Sequence, residues 1–144
     1  MTTVFHVSDL HFGWPAVPEQ IDAIERIIQE SRFDVVAISG DLSQRARAGE
    51  FQRAAAFIRD ARKVSKVITV PGNHDVAWWK APLGLGHKAD IYANYRKFID
   101  RNLEPSLAVA GATFVGINTA HGVTRRTLTW NLRDISIIGD IHKH

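Results

Sequence analysis

Apolar residues along this chain alternate between short extended runs and segments with helical spacing. Residues 3–8 and 34–39 are β-rich runs, whereas the isoleucines of residues 18–31 are spaced to fall on one face of a helix. A strand–helix–strand–helix–strand order is typical of a parallel sheet with right-handed crossovers and flanking helices. The pattern therefore predicts strands over 3–8, 34–39 and 66–70 and intervening helices over 18–31 and 48–63.

The apolar pattern is less regular after the third predicted strand. Residues 87–103 have the spacing of a further helix, and residues 107–120 divide into two short apolar segments that turn at Gly111, as in an antiparallel hairpin. A last β-rich stretch, ISII, lies between His121 and His144. No shift in composition divides the chain, so we expect one α/β domain over residues 1–144.

The composition narrows the chemistry that this chain can perform. It is 45% apolar and 23% charged, as in ordinary soluble domains, and its apolar runs are too short for a membrane helix. The N-terminus lacks the pattern of a signal peptide, so we expect a cytoplasmic protein. The absence of cysteine means that nitrogen and oxygen atoms must bind any metal, which favours hard or borderline divalent ions. The net charge of +3 is compatible with an anionic substrate but marks no nucleic-acid groove.

A polar cluster follows each of the three predicted parallel strands. The clusters are SDLH at residues 8–11, GDLS at 40–43 and GNHD at 72–75. Loops at the carboxyl ends of neighbouring parallel strands converge, and ligands bind in the crevice between them. We therefore expect six side chains to meet in one small volume: Asp9, His11, Asp41, Asn73, His74 and Asp75.

Four of these side chains suit the binding of two divalent ions. Asp9 and His11 are two residues apart, so an extended backbone points both to the same side, where they can share one ion. Asp41 has two carboxylate oxygens and can bridge to a second ion, and Asn73 offers a neutral amide oxygen. Two ions about 3.5–4 Å apart activate a water and stabilise in-line displacement at phosphorus. This cluster predicts metal-dependent hydrolysis of a phosphate ester.

The remaining two side chains suit proton transfer. His74 is placed to donate a proton to the leaving-group oxygen or to stabilise its developing charge. Asp75 is expected to orient that imidazole and to fix its tautomer.

The motifs DLHFG, GDLSQRARAGEF and VPGNHD resemble those of the calcineurin-like metallophosphoesterases, whose pattern is D-x-H, G-D, G-N-H-[DE], a lone histidine and G-H-x-H. Within that superfamily VPGNHDV, YRKFI and GINTA are most similar to the bacterial class III cyclic-nucleotide phosphodiesterases. The resemblance implies the N-terminal part of a four-layer αββα sandwich with two divalent ions (Mn, Fe or Zn) and a cyclic nucleotide or similar small phosphodiester as substrate. It implies that the metal ligands include Asp9, His11, Asp41 and Asn73 and that the catalytic histidine is His74.

The closing motifs of that family differ from the end of this chain. Family members supply three further histidine ligands from the second half of the sandwich, whereas this chain ends in GDIHKH, with Asp140 at the position of a family histidine. We therefore expect a C-terminally incomplete domain, in which His142 and His144 are candidate replacement ligands.

Two other classes of function stay open at this level. One is a non-catalytic half-domain that binds metal or phosphate, or that needs a partner chain; an exposed sheet edge would favour a homo-oligomer. The other is a repair-type nuclease of the same superfamily, which predicts a basic groove that this near-balanced charge does not favour. The expected partner is a small phosphate ester, without membrane or nucleic acid. Substrate-binding residues stay unassigned, since Trp78 and Trp79 fit base stacking and packing under a loop equally well.

Overall fold

A parallel three-stranded sheet forms the centre of the described structure. The computed structural model describes residues 1–14, 16–77 and 90–120. The strands lie side by side in chain order, and both pairings are parallel: β1 (Val4–Val7), β2 (Val35–Ser39) and β3 (Lys66–Val70). The predicted α/β class, a parallel sheet with flanking helices, is confirmed.

Two helices of the predicted length connect these strands: α1 (Pro18–Ser31) and α2 (Ala48–Ala61). Proline suits the first turn of α1 because its ring presets the helical φ and its missing N–H needs no partner there. The helix ends at Arg32, which adopts a left-handed conformation and donates its N–H to the carbonyl of Ile28 at 3.1 Å. At the start of α2 the Glu50 carboxylate accepts the main-chain N–H of Arg47 at 3.2 Å, which satisfies a donor that the helix leaves free.

Both helices pack on one face of the sheet. Ile28 of α1 and Phe57 of α2 belong to one buried cluster with Val36 and Ile38 of β2, and Phe5 of β1 packs against its margin. Each fully buried aliphatic or aromatic side chain of this kind contributes roughly 1.5–3 kcal/mol relative to an exposed one. This core fixes the positions of the strands and therefore the positions of the loops that leave them.

A second, two-stranded sheet is the predicted hairpin. Strands β4 (Ser106–Val109) and β5 (Ala112–Val115) pair antiparallel, and Gly111 in the turn has φ +79, a conformation that glycine adopts without a steric penalty. The hairpin lies against β3, where a Cβ at Gly116 would overlap the side chain of Val70.

The helix predicted over residues 87–103 is shorter in the structure. Helix α3 spans Ala93–Phe98, and residues 78–89 are outside the described part of the chain. At its C-terminal side, the Asp100 carboxylate accepts the N–H of Asn102 at 2.9 Å, and the Asn102 side chain accepts the N–H of Glu104 at 3.0 Å. Such local bonds give the backbone an alternative to the helix, which is why apolar spacing alone overestimated its length.

The described residues do not test three further predictions: the last β-rich stretch, the single domain and the cytoplasmic location. The ISII stretch lies in residues 121–144, outside the described residues, and the single-domain organisation stays a prediction. None of the helices in the described ranges combines the length and the apolar character that crossing a membrane requires. The cytoplasmic location stays a prediction as well.

Candidate metal centre

The first and second strand-end loops, residues 8–12 and 40–44, run side by side at the carboxyl edge of the sheet. The N–H of His11 donates to the carbonyl of Asp41 at 2.9 Å, and the N–H of Phe12 donates to the carbonyl of Leu42 at 2.7 Å. These main-chain bonds continue the parallel pairing of β1 and β2 beyond the strands themselves. They set Asp9, His11 and Asp41 next to one another.

The backbone of these two loops is left-handed at all three polar residues. The φ angles are 58° at Asp9, 44° at His11 and 52° at Asp41. Left-handed non-glycine residues are uncommon and cost on the order of 1–3 kcal/mol each, and they concentrate at functional sites. The prediction that an extended backbone turns Asp9 and His11 to one side is therefore wrong, because the backbone of both residues is left-handed and not extended.

The three side chains converge on a volume that suits one ion. One candidate ligand atom from each of Asp9, His11 and Asp41 lies within 4.8 Å of the other two. The Nε2 atom of His11 is 3.6 Å from a carboxylate oxygen of Asp9, whose side chain is 64% exposed. The Nδ1 atom of His11 is buried and has no hydrogen-bond partner among the described residues. Two carboxylates and an imidazole with an unsatisfied ring nitrogen fit a hard or borderline divalent cation.

The third loop, residues 71–75, reaches this cluster through Asp41. The N–H of His74 donates to Oδ1 of Asp41 at 2.9 Å. The loop approaches so closely that a Cβ at Gly72 would overlap the Asp41 carboxylate, and a Cβ at Gly40, where φ is +85, would lie 2.8 Å from the Cα of Gly72. Both glycines are therefore required by the contact between the second and third loops.

Asn73 lies within this third loop, as the first residue of the 3-10 turn Asn73–Asp75. It is partly exposed and directly precedes the residue that hydrogen-bonds Asp41. The structure thus places Asn73 at the same edge as Asp9, His11 and Asp41. Its role as a metal ligand stays a prediction.

The imidazole of His74 is fixed by two contacts. It packs edge-on against the ring of His11, with 4.9 Å between the ring centroids. Its Nδ1 lies 2.9 Å from the main-chain carbonyl of Gln44. Because a carbonyl only accepts hydrogen bonds, Nδ1 carries the proton of this bond, and Nε2 is the ring nitrogen left for chemistry.

Asp75 differs from its expected position behind the His74 imidazole. It is only 1% exposed, and its carboxylate accepts main-chain N–H bonds from Leu42 (3.1 Å), Ser43 (2.7 Å) and Gly72 (2.9 Å). The hydroxyl of Ser43 donates a further bond at 2.8 Å. Burial raises the pKa of the Asp75 carboxyl, and the hydrogen bonds from these three residues oppose the rise. Asp75 joins the second loop to the third through these hydrogen bonds. The group that orients the His74 imidazole is instead the main-chain carbonyl of Gln44.

Sequence reasoning missed Gln44 because its contribution is a main-chain atom, which no residue type reveals. The Ser43 hydroxyl accepts the N–H of Ala46 at 3.1 Å while it donates to Asp75. Four other candidates lie outside the described residues, in the ranges 78–89 and 121–144: Trp78, Trp79, His142 and His144.

Nearly the whole chain matches one protein family. The profile of the family described as calcineurin-like phosphoesterase matches residues 2–143, and the match includes all three strand-end loops. The curated proteins contain no match to this chain. The protein therefore belongs to the calcineurin-like phosphoesterase family, whose members are metal-dependent phosphoester hydrolases. Within the described ranges, Asp9, His11 and Asp41 form its candidate metal site.

Proposed function

We propose that this calcineurin-like phosphoesterase is a phosphodiesterase that hydrolyses a cyclic nucleotide or a similarly small phosphodiester with the help of two divalent ions. The observation that carries the proposal is the convergence of Asp9, His11 and Asp41 within 4.8 Å at the edge where all three strands end. Left-handed backbone at each of the three supports it further, since a fold retains such conformations where the geometry of a site requires them.

The ions would be bound by Asp9 and His11 from the first loop, Asp41 from the second and Asn73 from the third. Divalent ions bound there would lower the pKa of an attacking water and neutralise negative charge on the phosphoryl oxygens. Asp41 is suited to the central position because the N–H of His74 fixes one of its oxygens at 2.9 Å, while no other described residue hydrogen-bonds its second oxygen. Mn, Fe and Zn all suit this set of oxygen and nitrogen ligands.

His74 is the proposed proton donor to the leaving group. The Gln44 carbonyl fixes its Nδ1–H and thereby orients the ring, so Nε2 is available to bind a proton and release it to the departing oxygen. The edge-on contact with the His11 ring supports a role for His74 next to the proposed metal ligands. Asp75, predicted from sequence as catalytic, is proposed instead as a positioning residue that acts through the second and third loops.

The direct test is Mn²⁺-stimulated hydrolysis of bis(p-nitrophenyl) phosphate. Asp41→Asn keeps the size of the side chain but removes its charge, and we expect it to lower kcat/KM by at least about 100-fold, as for loss of a group that stabilises the transition state. Asp34→Asn is the matched control, because Asp34 is an exposed aspartate that bonds Thr3 at the opposite end of the sheet. Equal rates in the wild type and Asp41→Asn would exclude this site.

Metal titration separates catalysis from the alternative of a non-catalytic half-domain. Two equivalents of Mn²⁺ bound by a protein that also hydrolyses the diester would agree with the proposal. Metal binding without Asp41-dependent hydrolysis would favour the half-domain, and light scattering in the same samples would show whether two copies associate.

A further inference from the structure

A cavity of about 320 Å³ adjoins the candidate metal centre. Asp9 and His11 form the wall that the cavity shares with the centre, and Ala16, Val17 and Gln20 form a second wall at the start of α1. The volume lies at the lower end of the roughly 300–1,000 Å³ that small-molecule sites occupy. A group attached to a phosphate at the metal centre can therefore extend directly into this cavity.

The walls of the cavity suit an uncharged group. Leu10, Ile21 and Ile24 supply an apolar surface, and no lysine or arginine of the described residues lines it. A second anionic group would lose its hydration here without gaining a lysine or arginine as a partner. Burial in these walls therefore favours a neutral apolar substituent over a further phosphate or carboxylate.

Two amide side chains give the cavity a polar edge. Gln20 lines it from α1 and Gln44 from the second loop, and among the described residues neither side-chain amide has a hydrogen-bond partner. Each amide has donors and an acceptor and is able to pair with the polar edge of a flat ring. Gln44 also holds His74 through its main-chain carbonyl, so its position relative to the reacting centre is fixed.

We propose that this cavity binds the uncharged, aromatic-sized organic group of the phosphate ester and that Gln20 and Gln44 form hydrogen bonds to its polar edge. This inference rests on the proposed function, since it assumes a phosphate at the metal centre. It assigns the substrate class: an ester between phosphate and a neutral flat group, without further phosphates. Residues at the start of α1 determine specificity and take no part in metal binding.

The first test measures binding with phosphonates, whose carbon–phosphorus bond is not hydrolysed. Calorimetry in Mn²⁺ compares phenylphosphonate with methylphosphonate. We expect the wild type to bind the phenyl compound at least about tenfold more tightly, as apolar pockets discriminate by groups of this size. Ala16→Phe fills the cavity and should reduce this ratio to about one while methylphosphonate binds as before.

The matched control is Ala23→Phe, which adds the same side chain at an exposed position of α1 that does not line the cavity. It should keep the wild-type preference, and circular dichroism checks that both variants are folded. Equal binding of the two phosphonates by the wild type, or an undiminished phenyl preference in Ala16→Phe, would overturn the proposal.

A matched ligand pair tests the charge argument. The carbamoyl and carboxyl groups of 4-carbamoylphenylphosphonate and 4-carboxyphenylphosphonate are nearly the same in shape, but only the second is anionic. We expect the carbamoyl compound to bind at least about tenfold more tightly, and Gln20→Leu to reduce that advantage. Tighter binding of the carboxylate would contradict a cavity for neutral groups.

A hydrolysis series separates this inference from the proposed function. Methyl and phenyl esters of p-nitrophenyl phosphate share one leaving group, and the preference for the phenyl ester should appear in KM more than in kcat. If both esters are hydrolysed through Asp41 while Ala16→Phe retains the preference, the cavity assignment alone is wrong. If neither is hydrolysed but the phosphonate preference disappears in Ala16→Phe, the cavity assignment stands and the proposed function is wrong.

Discussion

The first two strand-end loops differ from the third in how they hold their polar side chains. Asp9, His11 and Asp41 have left-handed backbone and side chains that reach an open edge. The third loop instead forms a short 3-10 turn, and its last residue, Asp75, is buried. The first two loops hold candidate metal ligands on strained backbone, whereas the third loop has ordinary backbone and supplies an acceptor for buried N–H groups.

From this difference we expect the strained backbone at the candidate ligands to depend on support from the third loop. Residues in sparsely populated backbone conformations persist only where surrounding contacts fix them. Asp75 provides such contacts because its carboxylate binds the main chain of Leu42 and Ser43 immediately after Asp41. Substitutions in the two regions should therefore separate loss of function from loss of stability.

Asp75→Ala should have the largest effect on stability. It leaves the main-chain N–H groups of Leu42, Ser43 and Gly72 without their acceptor, whereas the Ser43 hydroxyl still has the His74 carbonyl at 3.1 Å. Each unsatisfied buried donor costs about 1–3 kcal/mol, and allowing for relaxation we expect a loss of about 3–5 kcal/mol in the free energy of unfolding. Urea unfolding in EDTA measures it.

Asp41→Ala is the control for that experiment, since Asp41 accepts one hydrogen bond from a partly buried N–H. We expect it to change the free energy of unfolding by less than about 1.5 kcal/mol, the net contribution of an ordinary hydrogen bond. A loss in Asp75→Ala no greater than that in Asp41→Ala would mean that the third loop does not support the others.

Metal should stabilise the protein through the first two loops. At a free Mn²⁺ concentration about 100 times the Kd, binding to the folded state alone adds about 2.7 kcal/mol. Asp41→Ala should lose most of this gain, and Asp34→Asn should keep it. Unfolding curves with Mn²⁺ and with EDTA give the difference, and an equal gain in all three proteins would place the bound ion elsewhere.

The strain at Asp9 should be visible when metal is removed. Asp9→Gly relieves a left-handed residue and removes an anion beside Asp41, so we expect the metal-free variant to be more stable than the wild type by about 1 kcal/mol. Asp9→Ala also removes the anion but keeps a Cβ in the left-handed conformation, so it should gain less than Asp9→Gly. Thermal unfolding in EDTA compares the three proteins, and a destabilised Asp9→Gly would show that the loop is not strained there.

The smallest expected effect on stability comes from the hydrogen bonds between Thr3 and Asp34 at the opposite end of the sheet. The N–H and hydroxyl of Thr3 donate to the Asp34 carboxylate at 2.7 and 2.9 Å, and the main-chain bond, followed by the side-chain bond, lowers the pKa of Asp34. An acid with a lowered folded-state pKa adds stability above the ordinary value of about 3.9 and loses it as pH falls through the folded-state pKa.

Asp34→Asn should therefore lower Tm slightly at pH 6, and the difference from the wild type should shrink between pH 4 and pH 2. Thr3→Val, which loses only the hydroxyl, should show part of this dependence. A difference in Tm that is constant over this range would show that the ionisation of Asp34 does not contribute.

Sequence patterns predicted the parts of this molecule that depend on burial and chain order. The strands, α1 and the hairpin turn at Gly111 follow from periodicity and from the conformational freedom of glycine. The meeting of Asp9, His11 and Asp41 follows from parallel order, because each motif comes directly after a strand.

The remaining features depend on contacts between distant segments. The partners of Asp75 lie more than 30 residues away, except Gly72 in its own loop, so proximity to His74 in sequence suggested the wrong partner. The left-handed residues Asp9 and His11 are paired through their main chains with the second loop, a contact between distant segments that residue types do not reveal. The cavity likewise arises from the position of α1 over the first loop.

Gly40 and Gly72 bring the second and third loops into main-chain contact. The separation of these two loops is consequently set by the radii of backbone atoms. A side chain at Gly72 would push the loop that carries Asn73 away from Asp41, whatever the packing of the helices.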